Sequence, residues 1–186
     1  MDAALAAALQ VFWRKGYEGA SMADLTEAMG ISRPSIYNCF GNKEALFRKA
    51  LDLYEVEKTA YMAEALRQPT ARAVAEHLLA GSLERQTSIC DPKGCLSVIS
   101  SMQCGDEAAA IRQEVNARGA AANDALIARF RQAKVDGDLP ESADPEGLSR
   151  LLYAVSSGVS MQAQNGATPE QLRSLVDTAL ICWPSR

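Results

Sequence analysis

The sequence predicts an all-α protein of two helical domains, and three observations carry that expectation. Apolar residues recur three and four apart along almost the whole chain, the spacing of one helix face. No run of apolar–polar alternation long enough for a strand interrupts them. Ser, Thr, Asp or Asn stands before many of these segments and Gly after the early ones, the start and stop residues of helices. With 186 residues, 48% hydrophobic and 23% charged, the composition is that of a globular chain of one or two domains.

Leu5, Leu9 and Phe12 form the first stripe, stopped by Gly16 after Lys15. Ser21 is an N-cap with Asp24 as its capping-box acid, and Met22, Leu25 and Met29 line a two-turn helix closed by Gly30. Ser32 caps the next helix, with Pro34 in its first turn, where a missing N–H costs nothing. Ile36 and Phe40 are its only apolar anchors, Gly41 ends it, and Asn42 caps a helix carried by Leu46, Leu53 and Tyr54. Breaks follow at Gln68-Pro69-Thr70 and at Asp91-Pro92-Lys93-Gly94. A long helix is expected over about residues 106–134, from Ile111, Val115, Ala122, Leu126 and Phe130. Asp144-Pro145 opens the helix of Leu148, Leu152, Val155 and Val159. Thr168 and Gln171 form a capping box for that of Leu172, Leu175, Val176, Ala179 and Trp183.

Charge and cysteine content narrow the function. The net charge is −4, yet residues 1–50 hold six Lys/Arg against five Asp/Glu and so carry +1. Five cysteines without paired spacing do not form a disulfide framework, which favours a reducing cytoplasm, and one histidine without a CxxC pair supplies no zinc site. No cofactor is called for. The opening MDAALAAALQVFW lacks the basic head of a signal peptide. Residues 151–167 carry no charge, but their Ser, Gln and Asn make them too polar for a membrane span.

The stretch ISRPSIYNCFGNKEALF, residues 31–47, is the unusual one. Two short helices joined by Gly30-Ile31-Ser32 match a helix-turn-helix, whose second helix enters the DNA major groove. With Ile36 and Phe40 inward, the other face presents groups suited to bases and phosphates. Arg33 can pair a guanine bidentately and Asn38 can read an adenine, while Tyr37 and Lys43 can hold phosphates. On spacing alone, a short solvated helix of an all-α protein remains an equal reading.

Residues 4–54 resemble the DNA-binding domain of TetR/AcrR-family transcriptional regulators. The pieces that match are F-x3-G-Y-x-G-A-S, L-x2-A-M-G-I-S, S-I-Y-x2-F and K-E-A-L, with weaker ones downstream in KGCL, DGDLP and a late WP. The resemblance implies a helix-turn-helix domain at 1–47 and a ligand-binding and dimerisation domain at 48–186. It further implies a homodimer on pseudo-palindromic double-stranded operator DNA, acting as a repressor that an unidentified small molecule releases. Carried over by position, Ser21 (or its N–H), Tyr37 and Lys43 are phosphate contacts, and Arg33, Pro34, Ser35 and Asn38 face the groove. Cys39 stands where many members have a phosphate-binding His, so it is expected to pack instead. The basic arm that many members carry before the first helix has no counterpart ahead of the first stripe.

Dimerisation by the last two helices, as in TetR-like proteins, assigns Leu148, Leu152, Val155, Gly158, Val159, Leu172, Leu175, Val176 and Ala179 to the interface; the alternative is that these stripes face the protomer's own core. Expected effector-pocket liners are Met62, Leu78, Cys95, Met102, Phe130, Tyr153 and Met161, with His77 as a candidate hydrogen-bonder. Trp13 and Trp183 read as core. Among Cys90, Cys95 and Cys104, Cys95 follows Lys93-Gly94 and opens a helix, the surroundings that favour a reactive thiolate. An oxidant or electrophile sensor on the same scaffold is therefore an alternative. A small helical ligand-binding protein or enzyme is another, although one histidine and no clustered carboxylates leave little for acid–base catalysis. A purely structural helical dimer is the third.

Overall fold

The computed structural model describes residues 2–103 and 108–184. Among them lie ten helices and no strand: α1 (Asp2–Gly19), α2 (Met22–Met29), α3 (Arg33–Phe40), α4 (Lys43–Lys58), α5 (Ala60–Leu66), α6 (Ala71–Thr87), α7 (Leu96–Gln103), α8 (Ala109–Val135), α9 (Pro145–Gln164) and α10 (Pro169–Ile181). The chain divides into two compact units, Met1–Thr59 with Gly94–Ala117, and Ala60–Lys93 with Arg118–Arg186. The boundary expected between residues 47 and 48 falls inside α4, because Leu46, Phe47, Ala50, Leu51 and Tyr54 bury one continuous face in the first unit. A second piece of chain, with α7 and the start of α8, joins that unit.

In the first unit α1 packs on α2, α4 and α7. Gly16 (φ +69°) puts a kink into α1 where the sequence predicts a stop, and a short helical turn continues to Gly19. Phe12 meets Phe47 edge-on at 5.1 Å between ring centroids, and Trp13 meets Tyr54 at 4.8 Å; such pairs add to the area they bury. Both α1 rings are wholly buried. The Trp13 indole N–H donates to the Gly94 carbonyl at 3.0 Å, satisfying a buried donor that would otherwise be costly. The Tyr54 hydroxyl donates to Cys95 Sγ at 3.5 Å, so residues 94–95 are held by two aromatic side chains of α1 and α4.

The second unit is built of α5, α6, α9, α10 and the latter part of α8. The expected caps are present: Asp144 accepts from the Glu146 N–H, and Thr168 and Gln171 complete their box at 3.3 and 2.8 Å. The break at 68–70 is held by Arg129, which donates to the Gln68 and Pro69 carbonyls, and by Asp138, which accepts from the Ala71 N–H at 2.5 Å. The core joins Leu79, Phe130, Leu152, Val159, Leu172 and Trp183. Phe130 and Trp183 have ring centroids 5.4 Å apart. The mainly apolar contact of α6 with α9 includes one buried polar pair, Gln86 donating to Ser160 Oγ at 3.1 Å.

Gly81 in α6 faces the Tyr61 ring so closely that a Cβ there would overlap its Cδ2 and Cγ atoms. In an exposed helix, Gly→Ala stabilises by about 0.5–1 kcal/mol. Here Gly81→Ala has the opposite sign and costs about 1–3 kcal/mol, the usual penalty of overpacking. Urea unfolding checks this, and a variant more stable than the parent refutes the packing.

Candidate nucleic-acid interface

The pair α2–α3 is set by its caps. Ser21 Oγ accepts from the Asp24 N–H at 3.0 Å while Asp24 accepts from the Ser21 N–H at 3.0 Å, a reciprocal box. Gly30 adopts the left-handed conformation (φ +66°), which a side chain would resist, and turns the chain into Ser32. Ser32 Oγ accepts from the Ser35 N–H and pairs with the Ser35 hydroxyl at 2.9 Å. Ile36 and Phe40 are buried, so α3 turns Arg33, Pro34, Tyr37 and Asn38 outward, with Ser35 half-buried. Cys39 is exposed as well. The expectation that it packs is corrected: it lies off the narrow strip that Ile36 and Phe40 define, one turn apart.

Arg33 and Tyr37, four residues apart on the exposed face, form one unit. Arg33 Nη2 and Nε donate to the Tyr37 hydroxyl at 3.1 and 3.3 Å, and the guanidinium carbon lies 5.6 Å from the ring centroid. A phenol that accepts these bonds keeps its own O–H for an outside acceptor. Lys43 opens α4 behind Asn42, whose Oδ1 accepts from the Ala45 N–H at 2.8 Å. Its ammonium sits 4.6 Å above the centre of the Tyr17 ring. Cationic, hydroxyl and amide groups thus share the surface of α3 and the start of α4, beside a helix N-terminus, where phosphate is favoured.

Ser21 is differently placed from its sequence reading. Its hydroxyl donates to Asp24 Oδ2 at 2.8 Å, and its N–H goes to the same oxygen. Both donors expected to reach a phosphate are therefore engaged by a carboxylate. Lys15 also bonds Asp24, at 2.7 Å.

The comparisons with known proteins fit this geometry. A sequence profile of bacterial regulatory proteins of the tetR family matches residues 4–50. The chain is 32% identical over 186 residues to the HTH-type transcriptional repressor ComR of Escherichia coli, covering 98% of this chain and 88% of that one. It belongs to the TetR family of bacterial regulatory proteins. Among solved structures, a cysteine mutant of the TetR-family regulator CifR complexed with 26-bp double-strand operator DNA superposes with a TM-score of 0.93 at 39% identity, covering 99% of this chain and 96% of that chain. A TetR regulator from Rhodococcus sp. RHA1 shares 36% identity at a TM-score of 0.63, covering 97% and 98%.

In this TetR-family chain the described residues expected in an effector pocket are distributed over both units. Phe130 is fully buried against Trp183, Leu78 belongs to the core, and Met62 is half-buried, all in the second unit. Tyr153 and Met161 are corrected: at 57% and 46% exposure they stand on the outward side of α9, because the inward face is taken by Leu152 and Val159. Cys95 is half-buried in the first unit, and the Lys93 ammonium that the sequence places near it donates instead to the Ser88 carbonyl at 2.5 Å. The Met102 side chain and Cys104 lie outside the described residues. His77 is half-buried, 3.5 Å from Glu64.

The interface stripes split in two. Leu152, Val159, Leu172 and Val176 are buried in the protomer's own core, a correction to their assignment. The most apolar line of each helix packs inward, because that burial is available within one chain. Leu148, Val155, Gly158, Leu175 and Ala179 are half-buried. Leu151, Val155, Leu175, Ala179 and Cys182 line a shallow open groove on α9 and α10, and Leu151, missed from sequence, extends the outward line one turn from Val155.

Tyr17 was missed as the neighbour of Lys43 at the start of α4, since no local pattern links two positions so far apart in the chain. Also unread from sequence is the ion pair of Arg48, whose Nε bonds Glu114 at 2.6 Å, a bond that raises the arginine's pKa above the ordinary value.

Asp24 supplies a pH test of the capping geometry. The Lys15 ammonium, then the Ser21 N–H and O–H, hold its carboxyl down from 3.8 to about 2. Such a depressed group contributes stability that is complete above the ordinary carboxylate value. That contribution is lost as pH falls from there through about 2. A carboxyl-carbon NMR titration places the Asp24 midpoint near 2, rising in Lys15→Ala; a wild-type midpoint near 4 refutes the arrangement.

Proposed function

We propose that this chain is a homodimeric transcriptional repressor that binds a pseudo-palindromic operator through α3 and the start of α4 and is released by a small molecule. The observation that carries the reading is the outward face of α3. A helix with two buried side chains exposes Arg33, Tyr37 and Asn38 together, on a fold shared with a relative solved on operator DNA. In this reading Arg33, Pro34, Ser35 and Asn38 meet base edges, and Tyr37 and Lys43 grip phosphates. Ser21 joins them once Asp24 gives up its hydroxyl or N–H. The groove of α9 and α10, with exposed Ile181 beside it, is the surface for a second copy, completing a four-helix bundle. Two copies also answer the weak charge of the first fifty residues, since salt-sensitive affinity grows with the number of phosphates neutralised. Work in the cytoplasm belongs to the same reading; no described helix is long and apolar enough to cross a membrane. A regulator of this kind needs no catalytic group, and none is assigned.

The test is fluorescence anisotropy with the chain's own promoter and a scrambled duplex. A preference for the promoter of at least about a thousandfold is expected at moderate salt. Tyr37→Ala and Lys43→Ala each weaken binding to both duplexes, and Lys43→Ala reduces the slope of log affinity against log salt by about one. Equal binding to the two duplexes ends this reading.

A second input rests on the Tyr54–Cys95 hydrogen bond. A group added to Cys95 Sγ would displace the Tyr54 hydroxyl and, with it, the ring packed on Trp13. If Cys95 is a sensor on this scaffold, Cys95→Ser abolishes release of DNA by oxidants or electrophiles. Release that survives the substitution removes Cys95 from that role.

A further inference from the structure

The position of Lys43 depends on a residue that neither the helix-turn-helix pattern nor the phosphate reading includes. We infer that Tyr17 is a positioning residue for DNA binding, its ring face holding the Lys43 ammonium where it meets the phosphate backbone. The inference rests on the reading of Lys43 as a phosphate contact.

Three observations support it. The Lys43 ammonium lies 4.6 Å from the Tyr17 ring centroid, within the roughly 6 Å over which a ring quadrupole attracts a cation. The ring is itself held. It stacks on Phe12 at 6.4 Å with 16° between planes, and meets Phe47 edge-on at 5.2 Å. Phe12 and Phe47 are core residues, exposed by 0% and 1%, so the ring continues an aromatic column that rises from the core to the surface. Finally, Gly16 (φ +69°) bends the chain immediately before Tyr17, and Phe47 lies one turn after Lys43 on α4. The kink delivers the ring to the side of α4 on which the lysine stands.

The physical advantage is pre-ordering. A lysine side chain has many rotamers, and binding that must freeze them loses affinity. A ring face narrows that choice beforehand without bringing the negative charge of a carboxylate toward a phosphate. Lys15, in contrast, is held by a carboxylate, that of Asp24.

The experiment measures operator affinity of the full-length chain with position 17 changed from Tyr to Phe, and then to increasingly fluorinated phenylalanines. Fluorination nearly keeps the ring's size while draining the negative charge from its face. Because it also alters the ring's contacts with Phe12 and Phe47, thermal unfolding of each protein checks that the fold is retained, and the Lys43→Ala background isolates the part that passes through the lysine. Tyr17→Phe is expected to bind within about twofold of the parent, and the most fluorinated ring about three- to tenfold more weakly. In a Lys43→Ala background the fluorine series is expected to be flat. A series that is flat with Lys43 present, or equally steep without it, overturns the role of Tyr17 while leaving Lys43 as a phosphate contact. Lys43→Ala protein that binds like the parent overturns the phosphate reading, and the inference with it.

Discussion

Phe12 and Trp13 of α1 anchor the first unit, fixing α4, the Tyr17 ring and the Gly94 backbone. Phe12 holds Phe47 and so the N-terminal half of α4. Trp13 holds Tyr54 and, through its indole N–H, the Gly94 carbonyl. The helix proposed to read DNA, α3, brings only Ile36 and Phe40 to this core. Eight residues with two anchors would not remain helical alone, because a short isolated helix is marginal in water. The fold therefore spends its apolar side chains on α1 and α4, and α3 is left free to be polar.

The same column connects stability with surface chemistry. Phe12 and Phe47 support Tyr17, and Tyr17 underlies Lys43. On α3 a shorter arrangement repeats the principle, with Arg33 set across Tyr37 one turn on. In both places a cation that would otherwise sample many rotamers lies on an aromatic ring fixed to the backbone. At the start of α2 the cation is handled differently, Lys15 pairing with Asp24, which also engages Ser21. Surface groups of similar chemistry thus differ in how readily they can reach another partner.

The second unit follows another logic. Its helices α6, α9 and α10 bury their most apolar lines in one another, leaving Leu151, Val155, Leu175 and Ala179 along a shallow groove. Buried Gln86 of α6 and Ser160 of α9 satisfy each other within this packing. Its Met and aromatic residues do not share one stripe: Phe130 is packed against Trp183 while Tyr153 and Met161 look outward.

Local signals were legible from sequence: the capping residues Ser21, Ser32, Asn42, Asp144 and Thr168, the left-handed Gly30, and the spacing of Ile36 and Phe40 that exposes α3. These depend on interactions within a turn or two of helix, so neighbouring residues suffice to determine them. Whether Leu152 meets its own core or a partner could not be read, because periodicity marks an apolar face without naming what covers it. Nor could the return of Gly94–Ala117 to the first unit, or the meeting of Tyr17 with Lys43, 26 positions apart in the chain. The sequence by itself determined the helices and which face of α3 is polar; only tertiary packing decided which distant side chains those faces meet, because that choice is made by competition among all the apolar surfaces of the folded chain.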